Sequence, residues 1–287
     1  MCGELSSAVP TVDSHQHFWS LKDLELELDS ATPVLDRDYL PDDLRPQMKE
    51  VGIDHTVYVA GFPSTPEARI WELDLAARTK FVAGITSWVN LLNPKAVGMV
   101  LDEMSQNRKF VGIRHLVEEE SDPDWLAQQV MHDSLRERGN HSVRYHMLVN
   151  TSHLRHVITI IESMPQLTVV IDHIAKPNIK GSETDGWADA MQQIASHPHV
   201  YCNLSGMITE IDHANWRAGD LAPYVEQVIG WFGWDRVMFG SDWPVCRLAE
   251  EYEQVVEALN CCIGPIDQAK RSKLFGGNAI KFYGLQI

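Results

Sequence analysis

The 287-residue chain carries 24 Lys and Arg against 40 Asp and Glu, a formal net charge of −16 with His neutral. A surface this acidic has no basic stripe with which to displace counterions from a phosphate backbone, so nucleic-acid binding is excluded as a working reading. No run of about 18 uncharged apolar residues occurs, and the opening MCGELSSAVP has neither a basic head nor an apolar h-region, so the expectation is a soluble, cytoplasmic protein without a membrane partner.

The cysteines, Cys2, Cys202, Cys246, Cys261 and Cys262, are odd in number and lack zinc-ribbon spacing, which points to free thiols in a reduced compartment. Eight short runs rich in Val, Ile and Phe, at 11–18, 55–62, 81–91, 110–117, 142–149, 167–175, 199–208 and 236–242, have the length and composition of buried strands. The first ends in VDSHQH and is followed by an acidic stretch, 19–45, expected to pass over the mouth of the fold. After the second run, Thr65-Pro66-Glu67 supplies a cap, a proline at the first helical position and an early acid, with Ile70, Leu73 and Ala77 at helical spacing. Later gaps carry the same device: Asn93-Pro94 before Val97, Val100, Leu101 and Met104; Ser152 as a cap before Leu154, Val157, Ile158 and Ile161; then Trp187, Met191 and Ile194; then Leu221, Val225, Val228 and Phe232.

Strict alternation of strands and helices over this length predicts a single (β/α)8 barrel spanning 1–287, with a doubly wound open sheet as the alternative. The barrel is preferred because the first strand runs into SHQHFW and not into a glycine-rich phosphate loop. Barrel sites are assembled at the carboxyl ends of the strands. Alternation along a strand aims Asp13, His15 and His17 to one side, His173 follows the sixth run in VVIDHIAKP, and Asp242 ends the eighth in MFGSDWP. Strands buried on both faces demand a partner or a metal for such groups. The alternative is a buried polar network.

Further candidates stand near other strand ends. Arg114 in GIRHLV is expected to grip a carboxylate or hydroxyls, or else to form a rim ion pair. Glu118 could ligate or belong to a solvated acidic loop; Trp88 could wall a ring or pack in the core; Lys176 could meet substrate or solvent. Asp13 is expected to orient a histidine. Eight further histidines, His55, His132, His141, His153, His156, His197, His199 and His213, are expected at the surface, in loops or on helix faces.

The series VDSHQHFW, GIRHLVEEESDPDWL, VIDHIAKP, NLSGMITE, FGWDRVMFGSDWPVC and FGGNAIKFYG runs nearly end to end and resembles the amidohydrolase superfamily, in the branch of sugar lactonases resembling L-fuconolactonase and L-rhamnonolactonase. The resemblance implies a distorted (β/α)8 barrel that hydrolyses a cyclic ester, with Asp242 as base on water and His15, His17 and His173 around the carbonyl. By residue type, His15, His17 and Asp242 are the expected ligands of one divalent ion, Zn or Mn, and His173 the second catalytic group. Metal-independent hydrolysis, with the histidines donating hydrogen bonds directly, is the alternative. Relatives often carry Gln where this chain has Ala60, an acid where it has His146, and Lys where it has Asn203, so His146 and Asn203 are expected to line an altered substrate pocket. A sugar-derived aldonolactone is the expected substrate. A metal-dependent decarboxylase and a silent binding barrel are the competing readings, and a homo-oligomer is left open.

Overall fold

The computed structural model describes residues 9–29, 31–137, 143–182, 184 and 186–287; His141 and Cys2 lie outside these. The eight apolar runs form eight parallel strands, β1 (Val12–Gln16), β2 (His55–Val59), β3 (Val82–Trp88), β4 (Phe110–His115), β5 (Arg144–Met147), β6 (Val169–Ile171), β7 (Val200–Leu204) and β8 (Val237–Phe239), paired in the order β1 to β8. The seam between first and last is drawn together by Ser14 Oγ donating to the Phe239 carbonyl at 2.7 Å. Above it, Asp242 N donates to His15 O at 2.9 Å and His17 N to Trp243 O at 2.7 Å. The result is a (β/α)8 barrel, nearly closed.

Helices α1 (Pro41–Glu50), α2 (Pro66–Arg78), α3 (Pro94–Met104), α4 (Gln129–Glu137), α5 (Leu154–Ser163), α6 (Trp187–Ala195), α7 (Ala218–Phe232) and α8 (Tyr252–Ile263) wrap the sheet. None of the helices among the described residues is long and apolar enough to cross a membrane. Thr65 caps α2 by accepting from Ala68 N at 3.2 Å. The expected stripe of that helix is only partly inward, however: Leu73 packs partly buried against the core, but Ile70 is 63% exposed and Ala77 is exposed, and Ala68, Glu72, Leu75 and Ala76 are the buried face. The inner face of α2 uses small residues and one carboxylate to approach the strands, and that pattern hides its polarity from a hydrophobic periodicity. The α5 cap is likewise displaced: Asn150, not Ser152, caps the turn, accepting from Ser152 N at 3.1 Å. His153 is buried in that turn, contrary to its expected surface position, and its Nδ1 accepts from Asn150 N at 3.3 Å.

The barrel interior has two layers. A lower apolar one contains Val12, Val57, Val59, Val111, Val170 and Met238, and the terminal helix α9 (Asn278–Tyr283) packs into it through Ala279, Phe282 and Tyr283. Above it the interior turns polar, and that upper layer holds the site. The acidic excursion crosses the mouth and is pinned at its ends by the Trp19–Tyr39 antiparallel bridge.

Candidate active site

Strand alternation fails first in β1, where the register shifts between Asp13 and Gln16. Ser14 Oγ reaches Asn203 Oδ1 at 2.9 Å and His15 Nδ1 reaches Asp172 Oδ1 at 3.2 Å, so two successive side chains meet groups from β6 and β7 across the barrel. Asp13 does not orient an imidazole. Its carboxylate accepts from Ser241 N at 2.9 Å, His15 N at 3.1 Å and the Tyr252 hydroxyl of α8 at 3.1 Å, which ties the β1–β8 seam to the helix layer. Burial raises its pKa to about 6 against those donors.

Three imidazoles converge on one oxygen. His17 Nε2 is 3.0 Å from Asp242 Oδ1, His173 Nε2 is 3.7 Å from it and His15 Nε2 is 4.0 Å from it. Each ring is aimed through its other nitrogen: His17 Nδ1 at the Val59 carbonyl (2.7 Å), His15 Nδ1 at Asp172, and His173 Nδ1 at Ser205 Oγ (2.9 Å). Such partners fix ring orientation and tautomer, leaving Nε2 toward the centre. Burial alone would raise the Asp242 pKa, but His173, His17 and His15 outweigh it and hold the carboxyl below its ordinary range. Burial drives His15 down to about 3 against the pull of Asp172, so its ring is neutral.

Two local devices permit this approach. A Cβ on Gly240 would stand 2.8 Å from His15 Cβ, and one on Gly206, itself at φ +60°, would collide with the His173 ring. The chain from His173 to Lys176 takes four successive positive φ values, 54°, 48°, 60° and 44°, and Asp242 stands at 57°. Left-handed L-residues cost of order 1–2 kcal/mol each, and strain of this kind concentrates at functional sites.

His17, His173 and Asp242 open into a cavity of about 250 Å³. Arg114, Glu118 and Lys176 also line it, with Leu28 and Leu35 of the excursion and Phe62 forming an apolar wall. Arg114 is buried; its Nε donates to the Ala60 carbonyl at 2.8 Å while Nη1 has no protein partner. Lys176 Nζ lies 2.5 Å from Glu118 Oε2 and 3.9 Å from Glu210 Oε1. Burial would lower the Lys176 pKa, and Glu118 reverses that and raises it.

Trp88, His146 and Asn203 are not part of this wall. Trp88 is tilted against His115, with ring centroids 5.5 Å apart, and His115 in turn stacks on Trp125 at 4.4 Å. His146 and Asn203 lie one level lower, where they donate to Asp172 at 3.1 Å and 2.9 Å. His146 Nε2 meets Thr86 Oγ1 at 3.2 Å and the Tyr283 hydroxyl at 3.0 Å. The terminal helix therefore reaches into the barrel from below and holds that imidazole away from the cavity. Asp172, which orients His15, is the residue that sequence reasoning missed.

His15, His173 and Asp242 offer ligand atoms all within 4.8 Å of one another, and His15 Nε2 is a buried nitrogen with no hydrogen-bond partner among the described residues. Two imidazole nitrogens and a carboxylate oxygen, with a third imidazole bonded to that carboxylate, suit Zn or Mn chemically. The residues present therefore fit a divalent ion. His15, His146 and Asp172 form a second close trio. There the carboxylate is saturated by three donors.

A polar floor of this kind, at the carboxyl end of a parallel barrel, is where barrel enzymes build their active sites. The chain belongs to the amidohydrolase family, whose profile matches residues 12–285. It is 35% identical over 278 residues to an L-fucono-1,5-lactonase of Burkholderia ambifaria, covering 95% of this chain and 94% of that one. A Burkholderia multivorans L-fucono-1,5-lactonase is 32% identical, with 96% of each chain covered. Among solved structures, a Burkholderia multivorans amidohydrolase with bound zinc superposes with a TM-score of 0.87 at 30% identity, covering 96% of this chain and all of that one.

Proposed function

We propose that the protein hydrolyses a sugar-derived aldonolactone. The observation that carries this reading is the Asp242 carboxylate, ringed by three imidazole Nε2 atoms at the floor of a cavity the size of a small-molecule site. The full-length relatives named as L-fucono-1,5-lactonases support the substrate class.

The chemistry follows from the chain's own groups. Asp242 accepts a proton from a water as its oxygen attacks the lactone carbonyl carbon. The carbonyl oxygen gains negative charge, and the unpaired Arg114 Nη1 and the cationic Lys176 are donors on the cavity wall that can meet it or the ring hydroxyls. The ring C–O bond then breaks, the departing alkoxide takes the proton from Asp242, and the product is an open-chain hydroxy acid. His17 holds Asp242 in place, and His173 keeps its carboxyl ionised. A divalent ion held by His15, His173 and Asp242 would supply Lewis-acid polarisation and acidify water. Protein purified without added metal is expected to contain close to one Zn or Mn per chain, lost in His15→Ala; a fully active metal-free preparation would instead assign the histidines as direct donors.

A pH-indicator assay over a panel of five- and six-membered sugar lactones tests the reaction, since ring opening releases acid. Carbon dioxide release from a carboxylated substrate, or inertness toward the whole panel, overturns the reading.

A further inference from the structure

Lys176 walls the catalytic cavity on one side and a second, more open cavity of about 330 Å³ on the other. The second cavity is lined by Asn150, Thr151, Ser152, Asn178 and Glu210, with the Trp187 ring beside these polar groups. Its donors are held in place. Asn150 Oδ1 accepts from Ser152 N at 3.1 Å and from Ser152 Oγ at 2.7 Å, and Asn178 Oδ1 accepts from Gly181 N at 2.9 Å. Both amides thus keep Nδ2 as the group to offer. The left-handed turn through Lys176 brings the chain between the two cavities, and Glu118 and Glu210 flank its ammonium.

The chemistry of this wall selects its ligand. An anionic group would face Glu210 and a lysine already compensated by two carboxylates. A cation would compete with Lys176 for those same carboxylates. An apolar group would bury the amides and hydroxyls without partners. A neutral polyol satisfies amide, hydroxyl and carboxylate together.

We propose that this second cavity is a subsite for a neutral, polyhydroxylated substituent borne on the lactone ring, a glycosyl group in size, with Lys176 as the edge over which it passes. The inference rests on the lactonase reading for the reaction but not for the binding. The glycosidic bond is untouched, and only the ring ester is opened.

The test compares lactones of disaccharide-derived (aldobionic) acids with their parent monosaccharide lactones. The best extended lactone is expected to exceed its parent in kcat/KM by about tenfold, the equivalent of one or two well-made hydrogen bonds. Asn178→Ala and Thr151→Val should each erase most of that advantage through KM and leave the parent lactone unchanged. Calorimetric titration with a panel of methyl glycosides gives a readout that needs no turnover: binding in the wild type, weakened in both variants, is expected. Extended lactones turned over no better than their parents, or variants that slow both alike, overturn the subsite. If no lactone is opened yet glycosides bind in an Asn178-dependent way, the subsite stands and the assigned reaction falls; if glycosides bind nowhere, the subsite falls whatever the reaction.

Discussion

Two buried aspartates stand on either side of the His15 imidazole, and their surroundings differ in one respect. Asp172 accepts from His15 Nδ1, His146 Nδ1 and Asn203 Nδ2 at 2.9–3.2 Å. Asp242 has one close imidazole, His17 at 3.0 Å, with the other two at 3.7 and 4.0 Å. Both carboxyls are held below the ordinary range, burial being outweighed by neighbouring histidines in each case. Charge stabilisation therefore does not separate them; valence does. Asp172 has its oxygens engaged by protein, while Asp242 lines the cavity with capacity to spare for a water or an ion. A saturated carboxylate can only orient its donors, whereas an unsaturated one has room to accept a proton or hold an ion.

The largest expected effect breaks the comparison at its reactive end. Asp242→Asn keeps the size of the side chain but cannot accept the water's proton, so kcat should fall by about 10²–10⁴-fold with the fold retained. Circular dichroism with steady-state kinetics checks this. Near-normal kcat would move the base elsewhere, His173 being next to hand.

Asp172→Asn should reverse the pattern. An amide has one acceptor where the wild type opposes three donors, and its NH₂ would face another N–H. Buried donors left without an acceptor cost about 1–3 kcal/mol each, so the main loss is in thermal stability. Activity falls too, because His15 loses the partner that sets its tautomer. Asp172→Asn as stable as wild type but as inactive as Asp242→Asn would mean that Asp172 shares in the chemistry.

Why one aspartate was legible in the sequence and the other was not comes down to backbone conformation. Strand ends locate His15, His17, Arg114 and Asp242, because the apolar runs give the strands and barrel sites gather where strands stop. Asp172 precedes His173 in the chain, so alternation sends it to the opposite face. The structure overrides that with a left-handed turn built from His173, Ile174, Ala175 and Lys176, none of which is the glycine that would signal it. His146 and Asn203 were misplaced for a different reason: Tyr283, 137 residues beyond His146, rises into the barrel and takes its ring nitrogen. A contact of that separation leaves no local trace. The mouth-crossing stretch was legible as an excursion from its acidic composition, yet Leu28 and Leu35 are among the residues it contributes to the cavity.

A smaller effect concerns the wall around the two aspartates. Arg114→Ala removes a buried cation whose Nη1 has no protein partner, so it should raise KM for hydroxylated lactones more than it lowers kcat. The preference for the best sugar lactone over γ-butyrolactone, expected at about 10²-fold or more from two unpaired polar groups, should narrow. Equal loss on both substrates would assign Arg114 to architecture.

The smallest effect uses a third buried carboxylate as a contrast. Glu72 of α2 is 3% exposed, accepts from Ser64 Oγ at 2.7 Å and Ser87 Oγ at 3.1 Å, and has no imidazole against it. Burial raises its pKa from 4.5 to about 7, with the two serine hydroxyls, Arg69 and Arg114 opposing only in part. Tyr58 also stands close enough to feel its charge. Between pH 4.5 and 7 the folded protein thus holds a proton that the unfolded chain has released, so this group makes stability fall as pH rises across that window and stay reduced above it. One pKa unit is worth about 1.4 kcal/mol, so Glu72→Gln, neutral throughout, should recover stability of that order at pH 8 relative to its effect at pH 5. Thermal unfolding of both proteins across pH 4–9 measures it. Melting curves that shift in parallel at every pH would show that Glu72 ionises as an ordinary carboxylate, its serine hydroxyls and the two arginines then offsetting burial in full.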